Sequence, residues 1–494
     1  MIDFDSFYIN MGFSTYPFRD KTAEKEDTKQ LFINPGDYNM LIDAFKHEHT
    51  CIINGNRGAG KTIIEKDLES KTDTENLICV ITNYEQVGME NNRLDYYSVI
   101  LQEVTKSLSV YLLKNKLKLK KLKKDEKILI SFLLNKYGEF IADSQLKEEI
   151  ENIQLSTSQK ILNIFSKPLV AILNYFSTAV TNFGNELLTK NFGRYLPVID
   201  EKKVKEIFPE IKFKVVDDFK TVDISYSLLS SILKKVHNIV GTPPVIFMDK
   251  FDEDSRIQND ADILAKFSKD LLCDNNLLMN EDIQIILSMW EIAFKELETS
   301  FRQAKHYVYN ISWNQEQLKK VLNQRLSVFS KGMVTDYKKL FSTMDIEDIF
   351  VLCNSNPRDL WDILDNIFRA QYEIDASCKK IYEEAVRKGL NDFVRNFHFY
   401  EYYPRKKKAR KNTNDIYSYI KHLLKLNNTI EFTNNELREV ASTGGSTTNY
   451  ITGMMKIGLI KKTDKKRPGG AVIYRVNDPK VIYAISNKIE ILHR

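Results

Sequence analysis

The sequence predicts an α/β fold: a three-layer core with a helical insertion, a helical lid, and a separate helix-rich unit at the C-terminus. Three observations carry this. A glycine-rich stretch, GNRGAGKT (Gly55–Thr62), lies between the apolar run TCIIN and the helix-patterned IIEKDL. A second apolar run, VIFM (Val245–Met248), ends on the acidic cluster DKFDED. The last stretch, after a basic linker, pairs three helix patterns with two strand-like runs around a Pro-Gly-Gly tip.

Size and composition fit a multidomain globular chain. At 494 residues it exceeds one ordinary core, and about 150 residues per domain implies two to four domains. Hydrophobic residues make up 43% and charged residues 28%, a globular mix. A net charge of +5 is too small at this length to name a partner. Cys51, Cys79, Cys273, Cys353 and Cys378 are scattered, without a CxxC pair. That spacing predicts a reduced, cytoplasmic protein without a structural zinc. MIDFDSFYINMGF lacks the features of a signal peptide. PLVAILNYFSTAV (168–180) is shorter than the roughly 20 residues of a spanning helix, so a buried helix is expected and no membrane contact.

In chain order, residues 1–48 form a polar lead-in with a turn at Asn34-Pro35-Gly36. The ATPase-type core is expected over 49–310. Its first buried strand is Thr50–Asn54, a helix follows to Ser70, and LICVITN (Leu77–Asn83) is the next strand. Residues 93–235 read as a mostly helical insertion. Its basic run KNKLKLKKLKKDEK (Lys114–Lys127) is either a solvated helix face or a contact for an acidic partner. Val245–Met248 and Ile283–Ser288 read as core strands, 311–400 as a helical lid, PRKKKARK (404–411) as a basic linker, and 413–494 as a winged helix.

GNRGAGKT matches the spacing GxxxxGK[ST], with strand before and helix after. Gly55, Gly58 and Gly60 permit the tight turn, and Asn56, Arg57 and Ala59 complete a loop whose N–H groups face phosphate. The following helix adds its positive end. Lys61 is expected on the β- and γ-phosphates and Thr62 on Mg²⁺. Asp249, closing an apolar strand taken to neighbour the loop strand, is the second magnesium-shell candidate. Water activation needs a further carboxylate, and Asp252 or Glu253 can supply it; Lys250 sits directly after Asp249. Ser288 ends its strand as a polar sensor of the γ-phosphate or as an ordinary serine. Arg358, at the start of a proline-led helix in NSNPRDLWDIL, is placed to reach the γ-phosphate from the lid. Arg302 in ETSFRQ is a finger candidate or a surface charge.

In the C-terminal unit, DIYSYIKHLLKL (Asp415–Leu426) is amphipathic, and FTNNELREVAS opens with a Thr433/Glu436 capping box. A second helix follows Gly444-Gly445, then the strands of KKTDKKRPGGAVIYRV. If the unit reads double-stranded DNA, Ser446, Thr447, Thr448 and Asn449 open the recognition helix. Lys461, Lys462, Lys465, Lys466 and Arg467 would then meet phosphates. The plainer alternative is a unit used for packing or oligomerisation.

Taken in order, GNRGAGKT, VIFMDKFDE, SNPRDL and the C-terminal helical unit resemble origin-recognition-type AAA+ ATPases. The likeness is greater to their bacterial relatives found near mobile elements and phage-defence genes. LFINPGDYNMLIDAF (Leu31–Phe45) resembles the group's segment bordering adenine. The resemblance covers about residues 30–90 and 240–490 and implies ATP and Mg²⁺ binding between core and lid, ATP-dependent self-association, and DNA contact through a winged helix. Lys250 departs from the Asp-Glu pair of many AAA+ proteins, while an Asp-x-x-Asp spacing, as in related signalling-type ATPases, favours Asp252. Two rival readings stand beside it. One is a slow switch that senses a protein through 93–235 and touches no DNA. The other is a membrane-associated P-loop protein of the KAP type.

Overall fold

Five short runs of apolar residues, each flanked by turns, line up as one parallel sheet in the computed structural model. The structure describes residues 2–19, 28–73, 75–123, 126–127, 129–130, 133, 137, 212–216, 219–223, 225–343, 346–404, 415–426 and 429–493. The 168–180 segment, most of the 93–235 region and the basic linker beyond Pro404 lie outside them.

Helix α1 (Phe4–Asn10) opens the chain, followed by α2 (Thr28–Leu31) and α3 (Tyr38–Lys46). The core then runs β1 (Cys51–Gly55), α4 (Lys61–Ser70), β2 (Ile78–Ile81), α5 (Arg93–Lys114) and α6 (Lys116–Lys121). A hairpin, β3 (Lys212–Val216) and β4 (Phe219–Asp223), precedes α7 (Tyr226–Val240) and β5 (Val245–Met248). Next come α8 (Ala261–Leu272), α9 (Asn275–Leu278), β6 (Gln284–Trp290), α10 (Glu291–Leu297) and β7 (Tyr307–Asn310).

The sheet order is β2-β5-β6-β1-β7, all pairs parallel. Helices cover both faces, so β1, β5 and β6 are buried at every position, as parallel strands require. Leaving the hairpin aside, this is the 2-3-4-1-5 order of a P-loop α/β core of the AAA+ type. It corrects one expectation: β5, which carries Asp249, does not adjoin the loop strand. β6 lies between them, and Asp249 reaches the loop from one strand further away.

Two further expectations change. The hairpin at 212–223 interrupts a segment read as helical; KFKV (212–215) does alternate with period two, whereas FKTVD does not. The ends of the same segment belong to the core, because α5 and α7 bury Tyr96, Ile100, Leu228 and Ile232 in one cluster with β2 and β5. Among the described residues, no helix is long and apolar enough to cross a membrane.

The lid follows as α11 (Gln315–Phe329), α12 (Glu347–Leu352), α13 (Pro357–Ile374) and α14 (Glu383–Asn396). The lead-in divides: α3 packs Tyr38, Leu41 and Phe45 on the sheet, while the first residues go to the lid. Phe4, Phe7, Tyr16 and Phe18 pack on Phe368, Trp361 and Tyr372 of α13. The C-terminal unit runs α15 (Ile416–Leu423), β8 (Glu431–Phe432), α16 (Asn434–Ala441), α17 (Thr447–Lys456), β9 (Ile460–Lys466), β10 (Val472–Val476) and α18 (Pro479–Asn487). Its strands form an antiparallel sheet ordered β8-β10-β9, and the Thr433/Glu436 capping box forms. Lid and C-terminal unit share one apolar core, from Phe368 through Phe399 to Ile485.

Candidate nucleotide site

The carboxyl end of β1 delivers the chain into the glycine loop. Gly58 (φ +77) and Gly60 (φ +102) take left-handed backbone, which costs a side-chain-bearing residue steric strain. At Gly58 there is also no space: a Cβ would stand 2.7 Å from Asn356 Oδ1 and from Arg358 Cβ. The lid helix therefore starts directly on the loop. Asn356 caps α13 by accepting from Arg358 N (2.9 Å) and donates its Nδ2 to Arg57 O (2.6 Å). Trp313, before α11, donates to Ala59 O at 2.8 Å.

Between loop and lid lies a cleft of about 490 Å³. Its lining includes apolar residues, Leu31, Phe32, Ile33, Trp313, Val321 and Trp361, the last with Arg325 over its ring. It also includes Lys61, Thr62, Asp249, Asp252, Glu253 and Arg358. A ligand with a flat apolar part and an anionic part matches such a lining.

Lys61 is half-buried and folds back to donate to Gly55 O (3.0 Å) and Asn56 O (3.2 Å). Burial lowers its pKa, against which Asp252 and Asp249 pull upward. Thr62 Oγ1 donates to Asp249 Oδ2 at 2.8 Å. A hydroxyl and a carboxylate in contact are the oxygen donors a Mg²⁺ takes, so these two residues fit the ion. The turn after Asp249 is held from beneath. Lys250 adopts φ +65, Phe251 stacks on Tyr84 at 4.2 Å, and Tyr84 OH donates to Asp249 O at 3.0 Å. The Asp252 carboxyl is raised by burial but lowered more by Lys61 and Arg57, and ends below its usual value. Glu253 is more exposed and lies 3.7 Å from Lys250. Arg358 lies 3.8 Å from Glu401, both half-exposed at the cleft rim.

Ser288 does not line the cleft. It is 2% exposed and donates to Glu65 on α4. Glu65 is the residue that sequence reading missed. Burial raises its carboxyl well above the usual range, and the charge of Asp249 adds to this. The only sequence signal was an acid on the apolar face of α4. Arg302 is exposed, ahead of a short 3-10 turn.

In the C-terminal unit, Ser446, Thr448 and Asn449 at the start of α17 are exposed, as are Lys461, Lys462, Lys465, Lys466 and Arg467. Thr447 departs from expectation. It is 2% exposed, and its hydroxyl donates inward to Gly444 O at 2.7 Å, so it locks the turn and has no free face for a base.

No family model matches the chain. Among curated proteins it is similar to the type VII secretion system accessory factor EsaA of Staphylococcus aureus. The MRSA252 protein is 23% identical over 267 residues, 50% of this chain and 25% of that protein. The USA300 protein is 24% identical over 241 residues, 45% and 23%. The chain spans about a quarter of the length of the curated relatives it matches. Among solved structures it is similar to Cdc6p from Pyrobaculum aerophilum, at 12% identity and TM-score 0.33, covering 99% of this chain and 98% of that one. It is similar to the Aeropyrum pernix ORC2 protein in ADPNP–ADP complexes, at 10% identity and TM-score 0.39, covering 97% and 96%. Drosophila ORC bound to DNA follows, at 10% identity and TM-score 0.30, covering 96% and 92%.

Proposed function

We propose that the chain is an AAA+-type ATPase that binds Mg²⁺·ATP in the cleft and binds duplex DNA through a C-terminal winged helix under nucleotide control. The observation that carries this is the convergence of Lys61, the Thr62–Asp249 pair and Arg358 on one cleft that also has apolar lining. The loop amides and Lys61 hold the β- and γ-phosphates. Thr62 and Asp249 hold Mg²⁺, which supplies charge neutralisation when bound. Asp252 orients water for attack on the γ-phosphorus, with Glu253 in reserve, and Arg358 meets the γ-phosphate from the lid. Closure of lid on core by ATP would reorient the C-terminal unit, since the two share a core. Self-association and a protein partner for the 93–235 region are part of this reading.

The helix–strand–helix–helix–strand–strand order and the exposed cations on β9 support the DNA-reading role. The test is fluorescence anisotropy of labelled duplex DNA with no nucleotide, ADP or ATP, at several salt concentrations. ATP-dependent binding is expected. Neutralising Lys465, Lys466 and Arg467 should reduce the slope of log K against log[salt] by about one for each phosphate these cations neutralise in the native chain. Absence of binding in every nucleotide state favours the slow switch, a reading that Lys250 beside Asp249 also supports.

A further inference from the structure

Arg57 occupies a variable position of the glycine loop, where the motif asks for nothing. Its side chain nevertheless turns away from the bulk solvent and is 13% exposed. Its Nε donates to Asp252 Oδ2 at 2.5 Å, and its Nη2 donates to Asp252 O at 3.1 Å. Its Nη1 donates to Asn259 Oδ1. The guanidinium lies over the Trp290 ring, 4.8 Å from the centroid. The main chain is fixed as well, because Arg57 O accepts from Asn356 at the start of the lid helix. One fork thus joins the loop to the acidic turn after β5, to the segment before α8 and to the end of β6.

We infer that Arg57 is the positioning residue for Asp252, fixing from within the phosphate loop the carboxylate that orients the attacking water. This rests on the hydrolytic reading of the cleft. Three features favour a fixed support over a latch that swings away. The guanidinium is engaged along its edge by Asp252 and Asn259 and on its face by Trp290, so a rotation breaks several contacts at once. Asn259, which holds Nη1, is held in turn by donating to Tyr400 O. Asp252 keeps its place on the cleft wall while gripped. The cationic pair of Arg57 and Lys61 also keeps this buried carboxyl ionised, as a water-orienting base must be. The arrangement offers a physical answer to Lys250. A protein without a carboxylate directly after Asp249 draws on one three residues later, and that residue needs an external brace because it sits on a short 3-10 turn (Phe251–Glu253).

The test uses the full chain and four proteins: native, Arg57→Gln, Asp252→Asn and the double variant. Steady-state turnover of Mg²⁺·ATP and binding of a fluorescent ATP analogue are measured on each, with Arg57→Lys as the conservative control. Arg57→Gln should lower kcat about 100-fold while KM and analogue affinity change less than about tenfold. The double variant should be no slower than Asp252→Asn alone, since a brace is worthless without the group it holds. Arg57→Lys should recover only part of the loss, because a point charge cannot replace the fork. Multiplicative losses in the double variant, or native-like turnover in Arg57→Gln, overturn the inference alone. A native chain that binds the analogue and turns over no ATP overturns both the inference and the hydrolytic reading.

Discussion

Replacing Lys480 by Ala should loosen the C-terminal unit from the lid. Lys480 sits at the start of α18, and its Nζ lies 2.8 Å from Asp359 Oδ2, with side-chain exposures of 1% and 2%. The ammonium is packed between the rings of Phe397 (4.4 Å) and Tyr402 (5.0 Å), and Tyr402 OH donates to the other Asp359 oxygen at 2.6 Å. Removing one member strands a carboxylate in an apolar core, which costs about 3–5 kcal/mol. The assay is hydrogen exchange of the α18 amides, corrected for intrinsic rates. A loss of that size accelerates their exchange by more than about a hundredfold. The pH dependence has a definite sign. Burial already raises the Asp359 carboxyl, and Lys480 is its main opposing influence. Without Lys480 the carboxyl rises further, so the variant takes up a proton on folding at a higher pH than the native chain. Its deficit should therefore shrink from about pH 8 to about pH 5.5. The double variant Asp359→Asn, Lys480→Met should recover most of the loss. Unchanged exchange in Lys480→Ala, or a deficit that grows on acidification, contradicts the buried ion pair.

Two smaller perturbations test the cleft. Gly58→Ala puts a Cβ into backbone at φ +77 and 2.7 Å from Asn356 Oδ1; it should cost about 1–3 kcal/mol of stability and weaken nucleotide binding, measured by thermal melts with and without ATP. Glu65→Gln should be tolerated within about 1 kcal/mol, because burial favours the protonated carboxyl that Gln imitates. A carboxyl with a raised folded pKa loses its stabilisation as pH rises through that pKa. The Gln variant should therefore gain on the native chain between about pH 5 and about pH 8 in denaturant titrations.

The features legible in the sequence are those written in consecutive residues. GNRGAGKT, the VIFM run ending in Asp249, the Asn356-Pro357 helix start and the Thr433/Glu436 box each declare themselves within about ten residues by spacing and capping chemistry. What stayed hidden depends on segments brought together by the sheet. Nothing near Arg57 announces Asp252, because their contact requires β1 and β5, which flank β6, to end at the same edge of the sheet. Glu65 and Ser288 meet across α4 and β6. The aromatic strap FHFYEYY (397–403) is visible as composition, but its meaning lies in its partners: Tyr400 donates to Asp415, Tyr402 to Asp359 and Tyr403 to Asp478. Those three acids are scattered over the lid and the C-terminal unit, and only packing brings them to one strap. Thr447 eludes the sequence for a similar reason, since a threonine at a helix start serves equally well to lock the preceding turn.

The nucleotide site is tested most directly by calorimetric titration of Mg²⁺·ATP into the native chain and into Lys61→Ala. Lys61 is half-buried against the loop carbonyls, and in the proposed site it would give a phosphate a charge-assisted hydrogen bond that the variant lacks. One ATP bound per native chain, with affinity at least about 100-fold weaker in the variant, is the predicted result. Equal binding by the two proteins, or none by the native chain, contradicts the assignment of GNRGAGKT as the phosphate-holding loop.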